Sequence, residues 1–224
     1  MTNEAPVLLT VRGTHRPSTV EEARALHNQT AGSPEGVAAA RELGDLSHKV
    51  YTPANAGKHS SAKPGELLFM DVWTTAGGIQ KFFSNEHVNA QGEKLFTGKE
   101  PAVWMSAAGS FTFNYGAPKK RGDRYVGILR AKVKSAEASI AGFNEMSHGA
   151  LAVGRRRGQI SHDLYIKLGP PNEPVEIMGV DLWHDLEGLQ EHYSDQTHMS
   201  GDLGFAGPPS ATVWEQAEGD WSEW

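Results

Sequence analysis

Apolar residues alternate or cluster over 7–12, 46–51, 66–73 and 102–106, and again over 124–133, 160–166, 175–183 and 211–216, which predicts eight strands. Between them the period changes. Ser18-Thr19-Val20-Glu21 has the Ser-x-x-Glu form of a capping box and predicts a helix start, and Ser135 stands before the helical stretch 136–150. Ile79, Phe82, Phe83, Leu95 and Phe96, and in the second half Leu189, His192 and Tyr193, fall at the spacing of one face of a further helix. The order strand, helix, strand, strand, helix, strand therefore occurs twice.

The sequence itself repeats. Pro64, Glu66, Asp71, Trp73, Gly78, Gln80, Ser84, Val103, Trp104, Ala107 and Gly109 recur 110 residues later as Pro174, Glu176, Asp181, Trp183, Gly188, Gln190, Ser194, Val213, Trp214, Ala217 and Gly219. Upstream the shift is 114, where Gly44, Ser47, His48 and Tyr51 match Gly158, Ser161, His162 and Tyr165. A period this long marks a duplicated small domain and not a solenoid, whose repeats run ~20–50 residues. The element order is that of the ferredoxin-like split βαβ unit, an antiparallel sheet with helices on one face. The expected fold class is α+β, two ferredoxin-like repeats whose bare sheet faces pack together as a fused dimeric α/β barrel. The expected boundaries are 1–115 for repeat 1, 116–123 for a polar linker and 124–224 for repeat 2.

Composition narrows the chemistry. With 224 residues, a formal charge of -6, 38% apolar and 21% charged residues, the chain is long enough to bury a core and lacks the basic footprint of a nucleic-acid binder. It has no cysteine, which removes disulfides, thiolate metal sites and cysteine nucleophiles. No apolar run approaches the ~18–20 residues of a membrane span, and the acidic start Met1-Thr2-Asn3-Glu4 does not read as a secretory leader, so a cytoplasmic protein is expected. His184, His192 and His198 do not share a helical face, so no metal site is expected. P-loop, dinucleotide and Gly-x-Ser-x-Gly patterns are absent.

The stretch Asp71 to His87, with Asp181 to His198 as its echo, resembles the antibiotic-biosynthesis-monooxygenase family of dimeric α/β barrels: an acidic residue and an aromatic end a strand, and a helix carrying histidines follows. The pattern is split between the copies. Repeat 1 keeps the later histidine as His87 but has Phe82 at the earlier place; repeat 2 keeps the earlier one as His192 and has Thr197 at the later, with His198 next to it. The resemblance implies cofactor-independent oxygenation of an aromatic or polyketide-like substrate, with isomerases, lyases and non-catalytic members on the same barrel. Fused two-repeat chains of this architecture also include haem enzymes resembling chlorite dismutase. At the place of their relatives' axial histidine this sequence has Gly92 and Asp202, so haem stays an alternative, with His148 as a ligand.

His48 and His162 each occupy a Ser-His step on the second strand of a repeat, sharing a face with Leu46 and Val50, or with Ile160 and Leu164. Either is a general base in apolar surroundings, or a core histidine satisfied by a hydrogen bond. Asp71 and Asp181 orient such a base or pair with a surface cation. Trp73, Trp104, Trp183 and Trp214 stack on a planar ligand or fill the core. Because Phe82 faces His192 across the repeat, repeat 2 is the expected site. Its catalytic candidates are His162, His192 and Asp181, with His48 as the counterpart. The substrate-binding candidates are Trp183, Trp214, Tyr165, His198 and Trp73. The expected partner is a small apolar or aromatic substrate, and the expected assembly a monomer or a homodimer of fused barrels. Trp221 and Trp224, in a five-residue tail, are expected to cover the end of the barrel or an interface.

Overall fold

The computed structural model of the protein describes residues 5–115, 125–170, 172–195, 197 and 203–224. The expected linker 116–123 and His198 lie outside the described residues. The chain forms two compact units. Unit 1 takes the residues up to Thr52, Lys63–Met105 and the tail Ala217–Trp224; unit 2 takes Pro53–Ala62 and Ser106–Gln216. Neither is contiguous, in contrast to the simple boundaries expected, because backbone hydrogen bonds tie each exchanged segment to a sheet. In unit 1 the N–H of Ala217 donates to Val50 O at 3.0 Å, and His48 and Trp224 exchange N–H···O bonds of 2.9 and 3.3 Å. In unit 2 the N–H groups of Ala54 and Ser61 donate to Val213 O and Ala211 O at 3.1 and 2.9 Å.

Unit 1 contains β1 (Val7–His15), α1 (Val20–Gln29), α2 (Pro34–Glu42), β2 (Asp45–Pro53), β3 (Glu66–Trp73), α3 (Ala76–Phe83), α4 (Glu86–Leu95) and β4 (Phe96–Ser106). Its antiparallel strand order is β4-β1-β3-β2. Unit 2 contains β5 (Phe113–Asn114), β6 (Tyr125–Lys132), α5 (Ala136–Arg156), β7 (Gln159–Lys167), β8 (Glu176–Trp183), α6 (Leu186–Ser194) and β9 (Ser210–Gln216), with the order β9-β6-β8-β7-β5. This is the α+β, twice ferredoxin-like arrangement expected from the periodicity. Among the described residues no helix is long and apolar enough to cross a membrane.

Local chemistry explains the boundaries. Ser135 Oγ accepts from Ala138 N and opens α5. The first capping box sits one residue later than the sequence suggests: Thr19 Oγ1 accepts from Glu22 N, while Ser18 N donates to the Glu22 carboxylate. The helical stretch of repeat 1 is broken in two, since Pro34 lacks an N–H for an unbroken helix and suits the first turn of α2, where Ser33 caps. Repeat-matched glycines mark close approaches: a Cβ on Gly78 would lie 2.2 Å from Leu43 O, and one on Gly188 1.8 Å from Arg157 O.

Both β2 and β7 carry a register shift at the same place, between Asp45 and Ser47 and between Gln159 and Ser161. The extra residue breaks the alternation expected of Leu46, His48 and Val50. Leu46 is 54% exposed, whereas Ile160 stays buried. Downstream of the shift, His48 pairs with Asp71 and His162 with Asp181 across the sheet. The core of unit 1 gathers Leu9, Leu67, Phe69, Trp73, Phe96 and Trp221, the last fully buried. Of the tail tryptophans, Trp221 is thus a core residue, and Trp224 packs partly buried against the same core.

Candidate active site

The site lies within unit 2, where β7 and β8 bring His162 against Asp181. His162 Nδ1 donates to Asp181 Oδ1 at 2.7 Å. That places the free lone pair on Nε2, which accepts from the Ser147 hydroxyl of α5 at 3.0 Å. Asp181 also accepts from Gln159 Nε2 at 3.0 Å and from the Tyr193 hydroxyl of α6 at 2.8 Å. Burial pushes the Asp181 carboxyl up, but the His162 charge and hydrogen bond and the Tyr193 hydroxyl outweigh it and hold the acid below its ordinary value. For His162, burial lowers the pKa while the adjoining carboxylate raises it, and the net direction is upward. These hydrogen bonds fix the tautomer and orientation of the His162 ring.

This pair borders a cavity of about 220 Å³. Its walls are apolar, from Ile128, Leu129, Phe143, Met146 and Ala150; His162, Ser147, Asp181, Tyr193 and His192 supply its polar end, and Lys58 and His59 reach it from the exchanged segment. Phe113 on β5 lies over the His162 ring, with centroids 6.1 Å apart and planes at 28°. Two glycines shape the site. Gly127 faces Asp181 in register, and a Cβ there would come within 2.1 Å of the Tyr193 oxygen, so only glycine lets that hydroxyl reach the carboxylate. Gly179 lines the cavity, and a Cβ there would meet only Phe143, at 3.8 Å.

Unit 1 shows the same register with the space filled. The positions of Gly127 and Gly179 are Leu9, opposite Asp71, and Phe69, opposite Val50. Trp221 packs beside His27 and Phe69, with ring centroids at 5.5 and 6.5 Å, and Trp224 stacks on His48 at 4.9 Å. The hydrogen bonds differ as well. Asn28 Nδ2 donates to Asp220 O at 2.6 Å, which turns its Oδ1 toward His27 Nδ1 at 2.9 Å. His27 Nδ1 is then the protonated nitrogen, so its Nε2 accepts from His48 Nε2 at 3.1 Å. His48 shares a further hydrogen with Asp71 across 2.5 Å. Both ring nitrogens of His48 are thus engaged, and Trp224 covers its ring. Burial, and then the neighbouring His48, lower the pKa of His27 to about 4, in keeping with its neutral form.

Of the residues expected from sequence, the structure brings His162, Asp181 and His192 together on one cavity. Trp183 is fully buried beside His192, ring centroids 5.1 Å apart, in the core with Leu189 and Val213. Trp214 donates to Thr212 Oγ1 and is a buried core residue off the cavity wall. Tyr165 alternates with His162 and Leu164 along β7 and lies on the other sheet face, its hydroxyl pKa raised by burial. Trp73 and His48 belong to unit 1, where Trp73 packs on Phe82. His87 is exposed, and His198 lies outside the described residues. Sequence reading missed Ser147, Gln159, Phe113, Gly127 and Gly179 as site residues. Gly179 was within reach, because the 110-residue shift sets it against Phe69.

No family model matches the sequence, and no curated protein matches it. Solved structures do. An anthrone oxidase-like protein superposes with a TM-score of 0.63 at 12% identity, covering 96% of this chain and 92% of the other. A candidate monooxygenase from Lactobacillus acidophilus NCFM gives 0.60 at 12%, covering 94% and 93%. The chain has the dimeric α/β-barrel fold. At this identity the likeness is one of fold, and the resemblance to antibiotic-biosynthesis monooxygenases holds at that level. A variant of chlorite dismutase from Candidatus Nitrospira defluvii also shares it, with a TM-score of 0.56 at 15% identity over 99% of this chain and 94% of that one.

The last match raises the question of haem, and the residues of unit 2 do not fit one. His148 is exposed with its Nδ1 on Asn144 O, and the cavity of about 220 Å³ is small even for drug-sized ligands, which occupy ~300–1,000 Å³. Among the described residues no cluster of three or more His, Asp or Glu is arranged to hold a metal ion.

Proposed function

We propose that unit 2 is a small-molecule enzyme in which His162 removes a proton from a compact aromatic carbon acid or phenol, and that the resulting anion reacts with O2 without flavin or metal. The observation that carries this reading is the His162–Asp181 pair bordering an apolar cavity, where the corresponding His48 of unit 1 lies packed under Trp224 and against His27. Ser147 swings off Nε2 to admit the substrate proton. Low polarity around the bound anion disfavours its hydration and favours electron release to O2. For a reacting CH2 group, one oxygen atom becomes the product carbonyl and the other leaves as water, with the proton returned from His162. Lys58 and His59 at the rim suit a substrate bearing phenolic oxygens.

The test is oxygen uptake with anthrone, the compound class in the name of one structural neighbour, by wild type and His162→Ala. Uptake lost by at least ~10²-fold in the variant supports a general base. Substrate turnover without oxygen uptake reassigns the same base to an isomerase or lyase. Binding with no turnover makes unit 2 a ligand-binding module and refutes the enzyme reading.

A further inference from the structure

Ser147, His162 and Asp181 form an unbroken hydrogen-bonded series, Ser147 Oγ to His162 Nε2 at 3.0 Å and His162 Nδ1 to Asp181 Oδ1 at 2.7 Å. Ser147 and His162 are buried, the Asp181 side chain is 15% exposed, and all three border the same cavity. A hydroxyl is a weak nucleophile at neutral pH unless a base accepts its proton as it attacks, and a base fixed in one tautomer by a buried carboxylate does this; the geometry, not the chain order, defines such a set. The oxygenation proposed above leaves the Ser147 hydroxyl without a task, since there it must leave Nε2 before the base works.

We infer that Ser147 is the nucleophile of a second activity, hydrolysis of carboxylic esters whose acyl group is compact and apolar or aromatic. Ser147 Oγ forms a bond to the ester carbonyl carbon while its proton passes to His162 Nε2. The carbon–oxygen bond to the alcohol then breaks, and that proton goes to the leaving oxygen. Water attacks the acyl-serine, gives its proton to Nε2, and release of the carboxylic acid restores the serine. Ester and water become acid and alcohol, with no change in oxidation state. The apolar walls of Leu129, Phe143 and Met146 hold the acyl group, and Lys58, reaching the same cavity, is the cation available to the oxyanion.

The inference rests on His162 acting as a base, as proposed above, but on a different group giving up the proton. The two are separated by Ser147→Ala, which deletes the nucleophile and leaves the His162–Asp181 bond. The full-length protein is mixed with p-nitrophenyl acetate and p-nitrophenyl butyrate, phenolate release is followed by stopped flow, and intact mass is read after treatment with phenylmethanesulfonyl fluoride. Expected are a burst near one equivalent, a sulfonyl adduct on Ser147, and at least ~10²-fold slower hydrolysis by both Ser147→Ala and His162→Ala, with melting temperatures near wild type showing that the variants fold. Hydrolysis that Ser147→Ala leaves unchanged, an adduct elsewhere, or no hydrolysis by wild type overturns the inference. Oxygen uptake by wild type that His162→Ala abolishes leaves the oxygenase reading standing in those cases. Should Ser147→Ala fail to fold, the adduct site on wild type decides alone.

Discussion

Gly127 is a test of whether the site was built as described. A Cβ at this position would lie 2.1 Å from the Tyr193 oxygen and 2.9 Å from its Cζ, so Gly127→Ala forces the hydroxyl away from Asp181. A hydrogen bond to a charged group contributes ~1.5–3 kcal/mol. Replacing glycine by alanine inside a strand returns ~0.5–1 kcal/mol of backbone entropy. Gly127→Ala should therefore destabilise unit 2 by about 1–2 kcal/mol, or a few degrees in melting temperature for a chain of this size. Tyr193→Phe alone removes the same bond. The double variant should lose less than the sum of the two single changes, because the oxygen 2.1 Å from the new Cβ is gone and only the ring edge, with Cζ at 2.9 Å, must still shift, and the coupling between the two sites should be ~0.5–3 kcal/mol in the favourable direction. Urea denaturation of the four proteins, followed by near-ultraviolet circular dichroism, measures it. Additive effects would refute the reasoning, since they would mean that glycine at 127 does not serve the Tyr193–Asp181 bond.

Turnover should fall on the acid side, because His162 must be neutral to accept a proton: the net upward shift places that limb above pH 6.5, and Asp181→Asn, which removes the raising charge, should move it downward. A pH–rate profile of both proteins checks this, and an unmoved limb counts against His162 as the base. In unit 1 the Asp45 carboxyl is raised from 3.8 to about 7, by burial first and then by Asp71. Its contribution to stability is complete below pH 3.8 and lost as the pH rises through 7, so Asp45→Asn, which can keep the bond to Ser47 N, should stabilise the protein at pH 8 and not at pH 3.5, as read by urea midpoints. Gly179→Phe should fill the cavity as Phe69 does in unit 1, abolishing substrate binding in a calorimetric titration while the melting temperature stays near or above wild type.

The gross architecture was legible because it rests on period. Strands that bury one face must alternate, helices that do so must repeat every three to four residues, and an element order that occurs twice doubles both signals. The pairing of His48 with Asp71 and of His162 with Asp181 was open in the sequence, where either carboxylate could equally meet a surface cation, and the register of β2 on β3 and of β7 on β8 decides it. The register shift at Leu46 was not legible, because one extra residue in a strand leaves no mark in composition. Nor was the broken first helix, though Ser33-Pro34 announces a new start.

What the sequence alone determined is the fold class, the repeat and the residue types of the polar core. These depend on local periodicity and on identities that recur at a fixed spacing. Which repeat keeps an open site is decided by the tertiary structure. The tail enters unit 1 and places Trp221 beside His27, while Gly127 and Gly179 leave room in unit 2 for the Tyr193 hydroxyl and a cavity. Ser147 is an ordinary mid-helix serine in the sequence. Only the packing of α5 on β7 sets its hydroxyl against His162 Nε2, because contacts between elements far apart in the chain are fixed by how the layers meet and not by the pattern within either.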